Sequence, residues 1–338
     1  MKNHDFAYHL TNFLTVYLPR HRNASQHTIL SYRDTFSKFL LFCQNERGIP
    51  PEKLCLDMFS YQLIDDFLCW LEISLGAAVS TRNQRLGALR SFIRYLQIAS
   101  PEHLLLCHSI LALRSKRNAR PLVKYLTHNE IKHLLALPDA SSWEGRRDLA
   151  LLSLLYDSAA RVQEICDVTV GDVRTNAPST VKLSGKCRKS RIVPLSSPVS
   201  ALLKQYIKER ALDLSGKATQ PLFQNRQGTS LTRGGVSYIL TKYSDKSKGC
   251  NSNPLPTKLT PHSLRHSKAM HLLESGVNLI YIRDFLGHED IKTTQIYARA
   301  DPEIKRNAIL KAHVDDSAPQ LPAWQDNPGL MKFLKNLG

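Results

Sequence analysis

The chain has no closely spaced pair of cysteines. Cys43, Cys55, Cys69, Cys107, Cys166, Cys187 and Cys250 are scattered over 338 residues. No C-x-x-C occurs, so neither a disulfide framework nor a cysteine-based zinc site is indicated. They are expected as small core residues or exposed thiols. No apolar run reaches the length of a membrane-spanning helix, and the start, MKNHDFAYHL, lacks the apolar stretch of a signal peptide. A cytoplasmic protein without a membrane is therefore expected. There is no internal repeat and no low-complexity tract. Acids are scarce, with 29 Asp and Glu against 46 Lys and Arg. They form no cluster of the kind that two-metal nucleases need, so no metal and no cofactor are expected.

What is present is basic charge. The net charge of +17 and a pI near 9.6 point to a polyanionic partner, with nucleic acid favoured over a membrane surface. Hydrophobic residues at 42% and charged residues at 22% are ordinary for a globular protein. The length suits two domains, each with its own core.

The first third reads as helices. In SQHTILSYRDTFSKFLLFCQNER, Ile29, Tyr32, Phe36, Phe39 and Cys43 recur in alternating steps of three and four, with Ser25 as N-cap. FAYHLTNFLTVYL and YQLIDDFLCWLEI are similar. STRNQRLGALRSFIRYLQ is expected to bury Leu86, Leu89, Ile93 and Leu96, leaving Arg82, Arg85, Arg90 and Arg94 on its other positions. Those arginines are either a solvated face or a phosphate-contacting one. LRSKRNARPLVKYLTHNE follows without apolar periodicity. Arg114, Lys116, Arg117, Arg120 and Lys124 crowd there, and Pro121 breaks any helix. This predicts a helical domain over 1–113 and a basic linker over 114–124. A capping box at Thr127 and Glu130 opens the next helix.

The second domain, 125–312, reads as mixed. RRDLALLSLLYDSAARVQEICDV is largely helical, and STVKLSGKCRKSRIVPLS predicts a β-hairpin turning at Gly185. SSPVSALLKQYIKERAL is a helix with proline near its first turn, and PLFQNRQGTSLT is expected to be extended. A tail over 313–338 begins with a linker-like stretch, DDSAPQLPAW. There Asn327 and Pro328 predict a helix start, and Leu330, Phe333, Leu334 and Leu337 share one apolar face.

Within TTQIYAR, residues 293–299, Tyr297 alone is best read as a packing aromatic. Other residues carry similar ambiguity. Arg161 can pair with Glu164 on its own helix, and Lys186 can be a solvated turn lysine. His262 and Arg265, three apart, share a helix face. His288 follows Gly287.

Together these positions resemble the tyrosine recombinases, also called the phage integrase family, most closely Xer-type and mobile-element members. LLYDSAARVQEICDVTVGDV resembles the first-arginine box and SGKCRKSRIVPL the lysine hairpin. LTPHSLRHSKAMHLLESGVNLIYIRDFLGHEDIKTTQIYAR resembles the second box. The family usually has Thr-Gly-hydrophobic before the first arginine. This chain has Ser158, Ala159 and Ala160, which suggests a slightly different backbone ahead of Arg161.

The resemblance implies an all-α, SAM-like core-binding domain followed by a mixed α/β, mainly helical catalytic domain, together wrapped around duplex DNA. It implies Arg161, Lys186, His262, Arg265, His288 and Tyr297 as catalytic residues, with Arg188 of the hairpin among the DNA contacts. Tyr297 would attack the phosphodiester, with His262 as base and Lys186 as general acid. His266, beside Arg265, is either structural or a hydrogen-bonding residue of the site. The implied partners are double-stranded DNA with specific recombination sites and further copies of the chain: a dimer per site and a tetramer in synapsis, with the tail either folded back on its own catalytic domain or docked on a neighbouring protomer. The SAAR box and the tail incline the reading to integration, excision or transposition of a mobile element, with a Xer-type dimer resolvase as alternative. A type IB topoisomerase and a catalytically silent DNA-binding protein are the remaining rivals.

Overall fold

The structure, a computed structural model, describes residues 6–117, 124–185, 189–214, 216–249 and 255–300 (side chains to 297), with isolated positions at 329, 332 and 336. Lys186, Arg188, Arg120 and the apolar face expected in the tail lie outside the described residues. The chain divides into two compact units, Met1–Pro121 and Leu122–Gly338. Among the described residues, no helix is long and apolar enough to cross a membrane.

The first unit is helical. Helix α1, Phe6–Asn12, continues in wider π-type turns over Phe13–His21, and α2 (Gln26–Arg47), α3 (Tyr61–Ile73), α4 (Val79–Ala99) and α5 (Leu104–Leu111) follow. The Ser25 hydroxyl accepts from the Thr28 amide, and Gly48 closes α2 at φ 64°, a left-handed conformation that glycine adopts without strain. Aromatic rings fill the core. Phe13 and Phe92 meet edge-on at 5.3 Å, and Phe39 and Phe67 at 5.2 Å, the tilted geometry that ring quadrupoles favour. Leu86, Leu89, Ile93 and Leu96 of α4 are fully buried, as their spacing predicts.

The second unit opens with α6 (His128–Ala136) behind the expected capping box. Helix α7, Trp143–Asp157, is almost wholly buried, and α8, Val162–Asp167, follows a break. The largely helical stretch expected here is divided after Asp157, where Ala159 turns left-handed, φ 46°. Strands β1 (Val173–Arg174), β2 (Thr180–Ser184) and β3 (Ser190–Pro194) form an antiparallel sheet in that order, and Leu183 faces Arg191 in the expected hairpin. Helices α9 (Ser197–Glu209), α10 (Arg233–Lys248), α11 (Pro261–Glu274), α12 (Leu279–Leu286) and α13 (Ile291–Ala300) complete the unit. PLFQNRQGTSLT is less regular than expected, pairing only through isolated bridges such as Gln224 with Ser230. The main core lies between α7, α9, α10 and the sheet. A smaller cluster of Ala159, Ala269, Met270, Leu273, Ile282, Leu286 and Tyr297 joins α11, α12 and α13.

Candidate active site

The site is built around the end of α12. Gly287 caps that helix at φ 64°, and an added Cβ there would meet Arg191 Nη1 at 3.0 Å. Glycine therefore answers both the turn and the close approach. Two adjacent carbonyls at this corner hold two arginines. Arg265 Nη2 donates to Leu286 at 2.6 Å, and Arg161 Nη2 donates to Gly287 at 3.0 Å. Arg265 also donates to the carbonyl of Ala159 at 2.6 Å. The left-handed turn at Ala159 thus aims a backbone acceptor at Arg265. In the SAAR box, alanine adopts a conformation suited to glycine.

Glu164 is the counter-charge, and it was legible only as a partner of Arg161. Its carboxylate takes Arg161 Nη1 at 2.8 Å and both terminal nitrogens of Arg191 at 2.8 Å. Burial opposes the charge on Glu164, but the hydrogen bonds from Arg191 and Arg161 outweigh it and hold the carboxyl below its usual range. Arg191, from β3, was not singled out in the sequence. A basic residue on a half-exposed strand carries no signal of its own. Arg265 is 3% exposed. Burial and the neighbouring Arg161 and Arg191 push it down to about 10, still cationic at neutral pH.

The histidines line the same region. His288 is pushed down to about 4 by burial and by Arg265, Arg161 and Arg191, so it is neutral. Its Nδ1 lies 2.9 Å from the buried hydroxyl of Thr294. His262, exposed on the first turn of α11, is lowered by burial of part of its ring, then by Arg265 and Arg161. His266 is lowered by burial, His262 and Arg265. Its Nδ1 lies 2.8 Å from the Tyr297 hydroxyl.

Tyr297 is 1% exposed and packs in the small apolar cluster. Burial raises its pKa, and Arg265 works the other way. The packing reading and the site reading therefore both describe one side chain. His266, for which two roles were open, is the hydrogen-bond partner of the tyrosine. His262 does not make that contact in this arrangement. Exposed Lys189 pairs with Glu289 at 2.6 Å, linking the hairpin to the residue after His288.

Among the basic residues expected to contact DNA, some are turned inward and others are exposed. Arg82 is 3% exposed, and its guanidinium donates to the carbonyl of Arg114. It is therefore not part of an open phosphate-facing surface. Arg90 donates to the carbonyl of Leu113, and Arg85 pairs with Asp34 at 2.8 Å. These side chains knit α4 to α2 and to the segment after α5, because a buried carbonyl needs a donor. Arg94 is exposed, as are Arg114, Arg117 and Lys124. Lys116 pairs with Glu72.

The chain is similar to known proteins over most of its length. The sequence profile described as the Phage integrase family matches residues 124–303, and that of the Phage integrase, N-terminal SAM-like domain matches residues 11–99. A Sinorhizobium fredii protein named for an integrase/recombinase role is 36% identical over 328 residues, covering 97% of both chains. Tyrosine recombinase XerC of Bacillus subtilis is 32% identical over 302 residues, covering 88% of this chain and 93% of its own. The fold is similar to XerH site-specific recombinase in a post-cleavage complex with palindromic difH, with a TM-score of 0.67 at 22% identity over 85% and 80% of the two chains. It is also similar to the Tn1549 transposon integrase with circular intermediate DNA, with a TM-score of 0.67 at 17% identity over 88% and 98%.

Proposed function

The chain belongs to the phage integrase family and is a tyrosine recombinase, and we propose that it breaks and rejoins duplex DNA at specific sites through Tyr297. The observation that carries this is the corner at Leu286 and Gly287. Its two carbonyls fix Arg265 and Arg161 beside His288, while Tyr297 is hydrogen-bonded one helix away.

A phosphodiester resists attack because its charge repels a nucleophile. Arg161 and Arg265 answer this by donating to the nonbridging oxygens. Their charge is already in place before DNA arrives, and preorganised charge of this kind is usually the largest catalytic term. With the Thr294 hydroxyl donating to Nδ1 of His288, Nε2 carries the proton and is left to donate to the phosphate. His262, neutral at physiological pH and exposed, is the base for Tyr297. His266 holds the tyrosine hydroxyl until then. The buried hydroxyl must leave that bond, so α13 shifts when DNA binds. Lys186, from the segment joining β2 to β3, protonates the departing 5′ oxygen.

The product is a 3′-phosphotyrosyl link with a free 5′ hydroxyl. A second strand's 5′ hydroxyl attacks that link, and the bond energy is kept throughout. We place the enzyme on DNA as a dimer per site and a tetramer in synapsis, with the tail docked on a neighbouring protomer. The integrase/recombinase relative, matched over nearly the whole chain, supports a role on a mobile element. The XerC relatives support a dimer resolvase as second reading.

A plasmid carrying two copies of the DNA that flanks the gene tests the proposal. It should resolve into two circles, while a plasmid without those sites stays supercoiled. Relaxation of both plasmids alike would indicate a topoisomerase instead.

A further inference from the structure

Three arginines from three different elements meet at one helix end. The last carbonyls of α12 have no amide of their own helix to serve. Phe285 takes Arg191 Nε at 2.9 Å, Leu286 takes Arg265 Nη2 at 2.6 Å, and Gly287 takes Arg161 Nη2 at 3.0 Å. The helix dipole puts partial negative charge at the same point, which favours cations there.

One buried carboxylate stands among them. Glu164 accepts from the amide and from Nη1 of Arg161, both at 2.8 Å. It also accepts from Nη1 and Nη2 of Arg191, both at 2.8 Å. Arg191 thus offers its fork to Glu164 and its remaining nitrogen to Phe285, and all three of its nitrogens are engaged. It is the inner partner of the two. Its side chain is 14% exposed, against 39% for Arg161.

The charge count gives this arrangement a meaning. With Glu164 alone, Arg161 would form a neutral pair. A second arginine on the same carboxylate changes that. Arg161, Arg191 and Arg265 against Glu164 leave two net positive charges at the corner. A phosphodiester carries one negative charge. As the tyrosine oxygen bonds to phosphorus, its negative charge joins that of the phosphate, and the transition state carries two. A corner of two positive charges therefore favours the transition state over the bound substrate, and only such a difference speeds the reaction.

We propose that Arg191 is a positioning residue for strand cleavage: by sharing Glu164 it leaves Arg161 a net cation toward the scissile phosphate. Arg191 exchanges no proton and touches no reacting atom. Its effect passes through Glu164 and Arg161. The proposal rests on the reading of Tyr297 as nucleophile. The rival is that Arg191 only pins β3 to α8 and α12.

The test is single-turnover cleavage at subsaturating protein, read as tyrosyl adduct on nicked DNA. The scissile group is either the ordinary phosphodiester or an uncharged methylphosphonate. The methylphosphonate carries one negative charge fewer, so its transition state carries one where the diester's carries two. Coulomb energy is linear in charge, so a lost cation should cost about half as much on a log scale. Arg191→Met should slow cleavage of the diester at least about tenfold and of the methylphosphonate about threefold. The ratio of the two rates does not depend on how much of the protein is folded, so instability cannot imitate this result. Arg191→Lys keeps the charge and should keep the wild-type ratio. Equal slowing on both DNAs, or slowing on neither, would overturn the proposal in favour of a purely structural anchor. A Lys variant with the ratio of the Met variant would overturn it too. A wild-type protein that forms no tyrosyl adduct on either DNA would overturn the reading of Tyr297, and this proposal with it.

Discussion

Glu164 is 3% exposed and bridges Arg161 and Arg191. Replacing it by glutamine removes the charge that balances two guanidiniums in a buried place. Glu164→Gln should cost about 3 kcal/mol or more in urea unfolding, the range for breaking a buried pair. A loss below about 0.5 kcal/mol would place Glu164 among surface pairs instead. The spacing of Glu164 from Arg161 was legible in the sequence, but Arg191 was not, because it arrives from a strand 27 residues away. The histidines make a second prediction at this scale. His262, His266 and His288 are all lowered. A base that resists protonation stays active as the pH falls. The cleavage rate should therefore remain flat from pH 8 to about 6.5, the ordinary histidine value, and drop only below it. The linkage has the same sign. The unfolded chain takes up protons on these residues before the folded one does, so stability should fall as the pH drops from about 6.5 toward 4.

The turn between α7 and α8 shows where pattern reading stops. The stretch through LLYDSAARVQEI reads as largely helical, and its spacing does not mark where the helix divides. The break comes from a single left-handed residue, Ala159, whose carbonyl serves Arg265. Alanine in that conformation is strained by roughly 1 kcal/mol, while its buried methyl contributes about as much. Ala159→Gly should therefore change stability by less than about 1 kcal/mol. Ala159→Val, β-branched at positive φ, should cost several times more and displace Arg265. Equal melting temperatures for the two variants would contradict this account of the turn. By contrast, the candidate residues of the α11–α13 stretch stand in one continuous motif of the sequence. His262, Arg265 and Tyr297 lie on helices α11 and α13, and His288 lies between α12 and α13, so neighbours in sequence are neighbours in space. The arginines of α4 were not legible in this way. Periodicity tells which face a long side chain leaves from, but not whether its head turns back to a carbonyl.

At the scale of the whole molecule, the charge of +17 belongs to DNA binding, and the segment joining the two units is one place to test it. Arg114, Arg117 and Lys124 are exposed. Each phosphate contact changes the slope of log affinity against log salt by about 0.9. Arg117→Ala with Arg120→Ala should weaken site and non-site DNA alike and flatten that slope by about 2. An unchanged slope would mean that the segment is merely solvated. The two-unit organisation was legible from composition, since a proline-broken basic stretch separates two apolar patterns. The central claim remains that the buried Tyr297 becomes the nucleophile. The direct measurement is to trap the protein on a nicked substrate that cannot be religated, digest the complex and identify the peptide that carries a nucleotide. The account predicts a 3′-phosphonucleotide on Tyr297, and Tyr297→Phe that binds the same DNA without forming an adduct. A nucleotide on another residue, a 5′ linkage, or an undiminished adduct in Tyr297→Phe would contradict it.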